Sequence, residues 1–239
     1  MANVIVQAPS KTIGCFSNNQ LKIIAMLSML IDHIGVELFP DLESLRIIGR
    51  LALPLFAYMI AEGCYYTKNR ISYLPLIATL ALLCQAVFYF TTQSLYQSIL
   101  VTFSLSIITI FSIDGIIKHA NVFKVVLSVV LLIFVTFVAF IMPTIFSKQG
   151  FEIDYGYLDM LLPVFIYYAP NKICKLAACG LMLILLAIDI QGVQIYALLA
   201  LPLLALYNGK RGTKKLKYMF YIFYPLHLVV IYLVGLFLI

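Results

Sequence analysis

Apolar runs long enough to cross a bilayer recur along almost the whole chain, and no other feature limits its fold so far. A transmembrane helix takes about 20 apolar residues. Such runs occupy residues 21–39, 44–66, 73–92, 97–117, 123–146, 157–169, 173–190, 193–207 and 218–239. Hydrocarbon offers no partner to a backbone N–H or C=O, so each run predicts a helix that bonds its own backbone. The expected fold is all-α, a polytopic transmembrane helix bundle of about nine spans. The sixth and eighth runs are short, which fits tilting, burial within the bundle or partial crossing.

Composition agrees with lipid as the solvent. The chain is 64% hydrophobic and 11% charged, against about 25% charged in a soluble domain. The surplus is spread over the full length, so the sequence predicts one transmembrane domain, 21–239, after a polar segment, 1–20. That segment has no apolar core of signal-peptide type, and no apolar run precedes Cys15 as lipidation would need. The five cysteines show neither metal-ligand nor CxxC spacing, and no metal site is expected.

Charge gives the orientation. With nine crossings and the N-terminus inside, one face carries Lys11, Lys22, Lys68, Arg70, Lys118, Lys124, Lys172, Lys175, Lys210, Arg211, Lys214, Lys215 and Lys217. Only Arg46, Arg50 and Lys148 fall on the other. The positive-inside rule therefore predicts N-in and C-out, with residues 1–20 cytoplasmic. It also accounts for the net charge of +6 without nucleic acid.

Several ionisable groups lie where hydrocarbon is expected. "MLIDHIGVELFP" (29–40) puts Asp32 and His33 about 15 Å along the first span from Lys22. Such groups are expensive at that depth unless they are paired or face a wet cavity. Glu37 stands four residues beyond His33, on the same face, and could orient its ring. "IGRLALPLFAYMIAEG" (48–63) carries Arg50 at the matching depth, Pro54, which cannot bond the Arg50 carbonyl, and Glu62. An Asp32–Arg50 pair between adjacent helices explains how each survives in lipid. "KYMFYIFYPLHL" (217–228) places His227 near mid-membrane, with Tyr218, Tyr221 and Tyr224 in a stripe. "FEIDYGYLDM" (151–160) is an acidic outer connection with Glu152, Asp154 and Asp159. Packing is an alternative account of the Asp–Arg pair and of His227, and the plainer account of the tyrosines. His33 fits it least, because it has ionisable neighbours and exchanges protons near neutral pH.

Five stretches, in this order, resemble the TraX family: "KIIAMLSMLIDHIG", "IGRLALPLFAYMIAEGCYYTKN", "DYG", "LYNGKRG" and "KYMFYIFYPLHL". The resemblance covers nearly the whole chain after residue 20. It implies a multi-spanning acetyltransferase, similar to a wider superfamily of transmembrane acyltransferases; the namesake is associated with N-terminal acetylation of conjugative pilin. Carried onto this chain, it points to Asp32, His33, Arg50, Glu62, Asp154 and His227. "SILVTFSLSI" departs from the family pattern, with Ser98 in place of an amide side chain; this bears on acceptor specificity.

The resemblance implies acetyl-CoA as acyl donor and a protein, glycan or lipid acceptor outside a bacterial cytoplasmic membrane. Lys210 and Arg211, with Lys68 and Arg70, would attract its phosphates. Tyr221 and Tyr224 would lie along the pantetheine arm. His33 would act as general base or as an acetylated intermediate, and Arg50 or a freed backbone donor would stabilise the oxyanion. Intramembrane Asp, His, Arg and Glu equally suit a proton-coupled transporter, although no matching pair of broken helices is visible. A non-catalytic scaffold for conjugation or secretion is the third reading.

Overall fold

The computed structural model describes residues 14–67, 69–118, 121–212 and 217–238. Among these residues the regular structure is helical, in the order α1 Asn18–Glu37, α2 Glu43–Gly49, α3 Ala52–Tyr66, α4 Arg70–Thr92, α5 Ile99–Ile117, α6 Val122–Thr136, α7 Met142–Ile145, α8 Gly156–Tyr168, α9 Lys172–Ile190, α10 Ala200–Ala205 and α11 Lys217–Leu238. A π turn, Phe137–Ile141, joins α6 to α7, and a 3₁₀ segment, Gly192–Leu199, leads into α10.

Short polar residues set the helix starts. The Ser17 hydroxyl and the Gln20 side chain form a reciprocal capping box on α1. Asn69, Asn121 and Asn171 accept a first-turn N–H at α4, α6 and α9. Each such cap satisfies a donor that the helix cannot, worth about 1 kcal/mol. Prolines shape the interruptions. Pro54 cannot donate to Arg50, and the helix breaks at Arg50 and Leu51, between α2 and α3. Pro143 cannot donate to Ala139, and the wider π turn absorbs that missing bond.

Among the described residues, six helical stretches are long and apolar enough to span a membrane: Glu43–Tyr66, Ser72–Thr92, Ile99–Ile117, Val122–Ile145, Lys172–Ile190 and Met219–Phe237. The protein is therefore a multi-pass membrane protein. Three further predicted runs are helical but fall outside that set: α1, which carries several polar residues, α8, which is short, and the Gly192–Ala205 stretch. Burial follows ionisable content. The window in Glu43–Tyr66, which holds Arg50 and Glu62, is 72% buried, whereas that in Val122–Ile145 is 17% buried. Val122, Phe123, Ile133 and Phe134 stand exposed on the latter, as lipid-facing side chains do.

The sequence reads as one continuous domain, but the chain packs as two compact units. The first holds the chain up to Ala61 and again from Phe165; the second is Glu62–Val164. In the first, Phe16 pairs with Tyr207, its N–H bonding Leu206 O at 3.0 Å while Asn208 N–H bonds Phe16 O at 2.9 Å. In the second, Leu105, Val135, Val138, Phe151, Ile153 and Met160 form a buried apolar cluster. There Ser106 donates to Met160 O at 2.7 Å and Thr102 to Asp154 O at 3.2 Å, fastening α5 to the start of α8.

Candidate functional site

Helices α1 and α2 approach closely because two glycines let them. A Cβ on Gly35 would lie 2.8 Å from Leu45 Cβ, and one on Gly49 would collide with the Asp32 side chain. This contact carries Asp32 onto α2, where Arg46 and Arg50 stand one turn apart on one face. Arg50 Nη2 donates to Asp32 Oδ1 at 2.8 Å and to Oδ2 at 2.9 Å. Arg46 Nη1 reaches Oδ2 at 3.4 Å. The Asp32–Arg50 pair expected from depth alone is present, and Arg46 joins it.

The rest of the Arg50 guanidinium is also engaged. Its Nε donates to Arg46 O at 3.4 Å and its Nη1 to Gln194 Oε1 at 3.1 Å. Arg50 is 5% exposed and Gln194 1%. A buried cation in this setting needs a full set of acceptors, and Asp32, Gln194 and a backbone carbonyl supply them.

His33 turns elsewhere. Its Nδ1 lies 3.0 Å from Met29 O and 3.3 Å from His227 Nε2. His227 Nδ1 lies 2.9 Å from Phe223 O. A carbonyl only accepts, so each Nδ1 carries a proton. His227 Nε2 then accepts from His33 Nδ1–H, and the Nε2 of His33 keeps its lone pair. That atom has no hydrogen bond among the described residues. The His227 ring stacks on Phe223, with centroids 4.9 Å apart and planes 4° apart, and meets Tyr224 edge-on at 6.3 Å. The His33 ring is thus oriented by Met29 and His227, and Glu37 is exposed.

At the other end of α1 sits a basic group. The loop after α10 is pinned to the first turn, with Asn18 N–H on Lys210 O at 2.8 Å and Asn19 N–H on Arg211 O at 3.2 Å. Ser17 N–H is taken by Gln20 Oε1 and Gln20 N–H by the Ser17 hydroxyl. The N–H groups of residues 17–20 are therefore all used, and any anion here would meet the exposed side chains of Lys210 and Arg211. Lys22 lies over the Phe220 ring, 5.7 Å from its centroid.

Other predicted residues lie in the second unit. Glu62 is buried there. Asp154 accepts from the Tyr96 hydroxyl at 2.6 Å. Burial, then the charge and hydrogen bond of Asp154, hold the Tyr96 phenol well above its usual value. Arg70 pairs with Asp114, to which Lys118 also donates at 2.8 Å, and lies over the Phe111 ring. Asp159 is wholly buried. Tyr221 is half-buried and Tyr224 buried in the first unit. Lys11, Lys68, Lys214 and Lys215, and the side chains of Lys217 and Tyr218, lie outside the described residues. No group of three metal-ligating side chains occurs among the described residues.

Two site residues escape a reading of the sequence. Arg46 reads as a residue of the outer rim, although its spacing from Arg50 carries the signal. Gln194 is an uncharged residue in a short apolar stretch and carries none.

Comparison with known proteins gives the lineage. The TraX protein family matches residues 17–235. The chain belongs to the TraX family. Among curated relatives it is similar to the "Probable fimbrial assembly protein FimC, serogroup H1" of Dichelobacter nodosus, 26% identical over 251 residues, covering 90% of this chain and 94% of that protein. It is also similar to the "Uncharacterized protein RP591" of Rickettsia prowazekii (strain Madrid E), 47% identical over 45 residues, covering 19% of this chain and 18% of that protein. No solved structure matches. Asp32, His33, Arg50, Gln194 and His227 all fall inside the span that this TraX chain shares with its family.

Proposed function

We propose that the protein is an integral membrane acetyltransferase of the bacterial cytoplasmic membrane. It takes an acetyl group from cytosolic acetyl-CoA and passes it to an amine or hydroxyl at the outer side. The chain crosses nine times with its N-terminus inside, and α1, α8 and the Gly192–Ala205 stretch complete the crossings. The acceptor class follows the family and the fimbrial relative: the N-terminal amine of a pilus or fimbrial subunit.

One observation carries the reading. The His33 ring is fixed at Nδ1–H by the Met29 carbonyl and His227, and this leaves the Nε2 lone pair for a reacting proton. The acceptor nitrogen or oxygen attacks the thioester carbonyl carbon, and Nε2 takes its proton, a general-base role. As His33 gains charge, its Nδ1–H bond to His227 Nε2 strengthens. The tetrahedral intermediate then expels the thiolate of CoA. The C–N or C–O bond is already in place when the C–S bond breaks, and the proton on His33 passes to the departing thiolate to give the thiol. Asp32 does not share this ring. Its part is to hold Arg50, and with it the packing of α2 on α1.

The donor fits the basic end of the first unit. Lys210 and Arg211 are exposed there and meet the CoA phosphates as side-chain charges, because the backbone donors of the α1 N-terminus are spent. Donor binding is accordingly sensitive to salt. Arg70 is held by Asp114 and contributes less.

Release of free CoA thiol from acetyl-CoA by the detergent-purified protein, with a peptide amine as acceptor, tests this reading. His33→Ala is expected to keep the wild-type melting temperature and acetyl-CoA affinity, and to lose about 10²–10⁴-fold in turnover. Wild-type turnover in a folded His33→Ala protein removes His33 from the chemistry. Acceptor flux into proteoliposomes without any acyl donor replaces the enzyme with a transporter.

A further inference from the structure

Lys22 is a half-buried cation with no anion beside it. All ten Asp and Glu residues of the chain fall among the described residues, and none of them pairs with Lys22. Its ammonium lies over the Phe220 ring, 5.7 Å from the centroid, near the outer limit of a cation–π contact. The charge that does bear on it is that of Arg211, a second cation. A lysine needed only for topology would extend its ammonium into water. This one is turned to a ring on α11, beside the loop that Asn18 and Asn19 pin to the start of α1. Two like charges gathered at the edge of an apolar core are a cost to the empty protein, and a bound anion removes that cost.

Lys22 shares one face of α1 with Met26, Met29 and His33, which recur at helical spacing. Both ends of this face meet α11, Lys22 at Phe220 and His33 at His227. Lys22 and His33 stand eleven residues apart, about 16 Å at helical rise. In CoA, twelve bonds separate the diphosphate from the sulfur. At about 1.2 Å of advance per bond in an extended chain, they cover roughly 14 Å. We infer that Lys22, together with Arg211, binds the diphosphate of the acyl-CoA donor. A diphosphate held there leaves the thioester within reach of the His33 ring. Met26 and Met29 are buried in the interval, and unbranched side chains of this kind re-pack readily around a guest. An anionic lipid headgroup offers the same phosphate oxygens; the span to His33 favours CoA. This inference rests on the acetyltransferase reading and adds to it the residue that sets how far the donor enters.

Binding of CoA and of dephospho-CoA, which keeps the diphosphate and lacks the 3′-phosphate, is measured by calorimetry on the full-length protein in detergent. Lys22→Met is expected to weaken both ligands alike, by about 10- to 100-fold, the size of one charge-assisted contact. The empty Lys22→Met protein should melt no lower than wild type, because an unpaired cation has been removed. Lys22→Arg keeps the charge and should hold both affinities within about threefold of wild type. Arg211→Gln changes an exposed side chain and should weaken both ligands by at least about threefold. Wild-type affinity for CoA in folded Lys22→Met, or in Arg211→Gln, overturns the inference. A loss for CoA that dephospho-CoA does not share overturns it too, since the contact is then with the 3′-phosphate. So does phosphatidylglycerol, added in nanodiscs of phosphatidylcholine, if it displaces CoA from wild type and not from Lys22→Met, for the site then belongs to lipid. Each of these results leaves the acetyltransferase reading standing. A wild type that binds neither CoA nor acetyl-CoA removes both.

Discussion

Each unit of the molecule holds a carboxylate against a pair of basic side chains, and the two settings differ in how dry they are. In the first unit Asp32 meets Arg50, whose side chain is 6% exposed. In the second, Asp114 meets Arg70 and Lys118, whose side chains are 35% and 65% exposed. Water can replace a partner in the second setting. In the first, the buried guanidinium of Arg50 has no water to turn to, although Asp32, 16% exposed, also meets Arg46. A wet cluster fixes little beyond the rim of a helix pair. A dry one dictates how α1 and α2 must pack.

The sharpest way to break this contrast is to remove the dry cation. Arg50→Met is expected to destabilise the protein by about 3 kcal/mol, the low end for a broken buried pair, because Asp32, only partly exposed, keeps Arg46 at 3.4 Å as its one remaining cation in the pair's network. Unfolding in mixed SDS micelles measures it, and adding Asp32→Asn to the same chain should recover part of the loss. Next comes Gly49→Ala. Its methyl group would collide with Asp32 and should destabilise by roughly 1–3 kcal/mol, as overpacking does; the same assay reads it.

The second unit should respond more mildly. Tyr96→Phe removes the bond to Asp154 and is expected to lose about 1 kcal/mol near neutral pH. The phenol is raised in the folded protein, so the folded state favours its neutral form. The stabilisation is full up to about pH 10, where the unfolded phenol titrates. It fades above that, as rising pH forces the folded phenol to ionise. The gap between wild type and Tyr96→Phe should thus be flat below that pH and close above it. Lys118→Ala is the smallest step, about 0.3–0.5 kcal/mol for an i,i+4 pair on a wet helix end. A loss as large as that of Arg50→Met would erase the distinction between the units.

Much of this arrangement was legible in the sequence, for identifiable reasons. The apolar runs foretell where the helices lie because lipid leaves the backbone no other partner. The Asp32–Arg50 pair is legible because two opposite charges at one depth on consecutive helices have little else to meet. Pro54 foretells the break after α2 because a missing N–H cannot be compensated within the helix. Helix rotation is not legible in the same way. Depth says that His33 and His227 lie within the membrane, but not that their rings face one another, and Glu37 stood closer to hand in the sequence. Gln194 could not be found because an uncharged amide raises no electrostatic objection to an apolar stretch. The two-unit packing was equally hidden, since composition does not change at Ala61 or Phe165.

The His33–His227 contact joins side chains 194 positions apart, one from α1 and one from α11. During synthesis the first of these helices is threaded into the bilayer long before the second has left the ribosome. Until then the His33 ring has only the Met29 carbonyl, within its own helix, to hold it. The second tether arrives with insertion of α11, so this corner of the fold is the last to be completed.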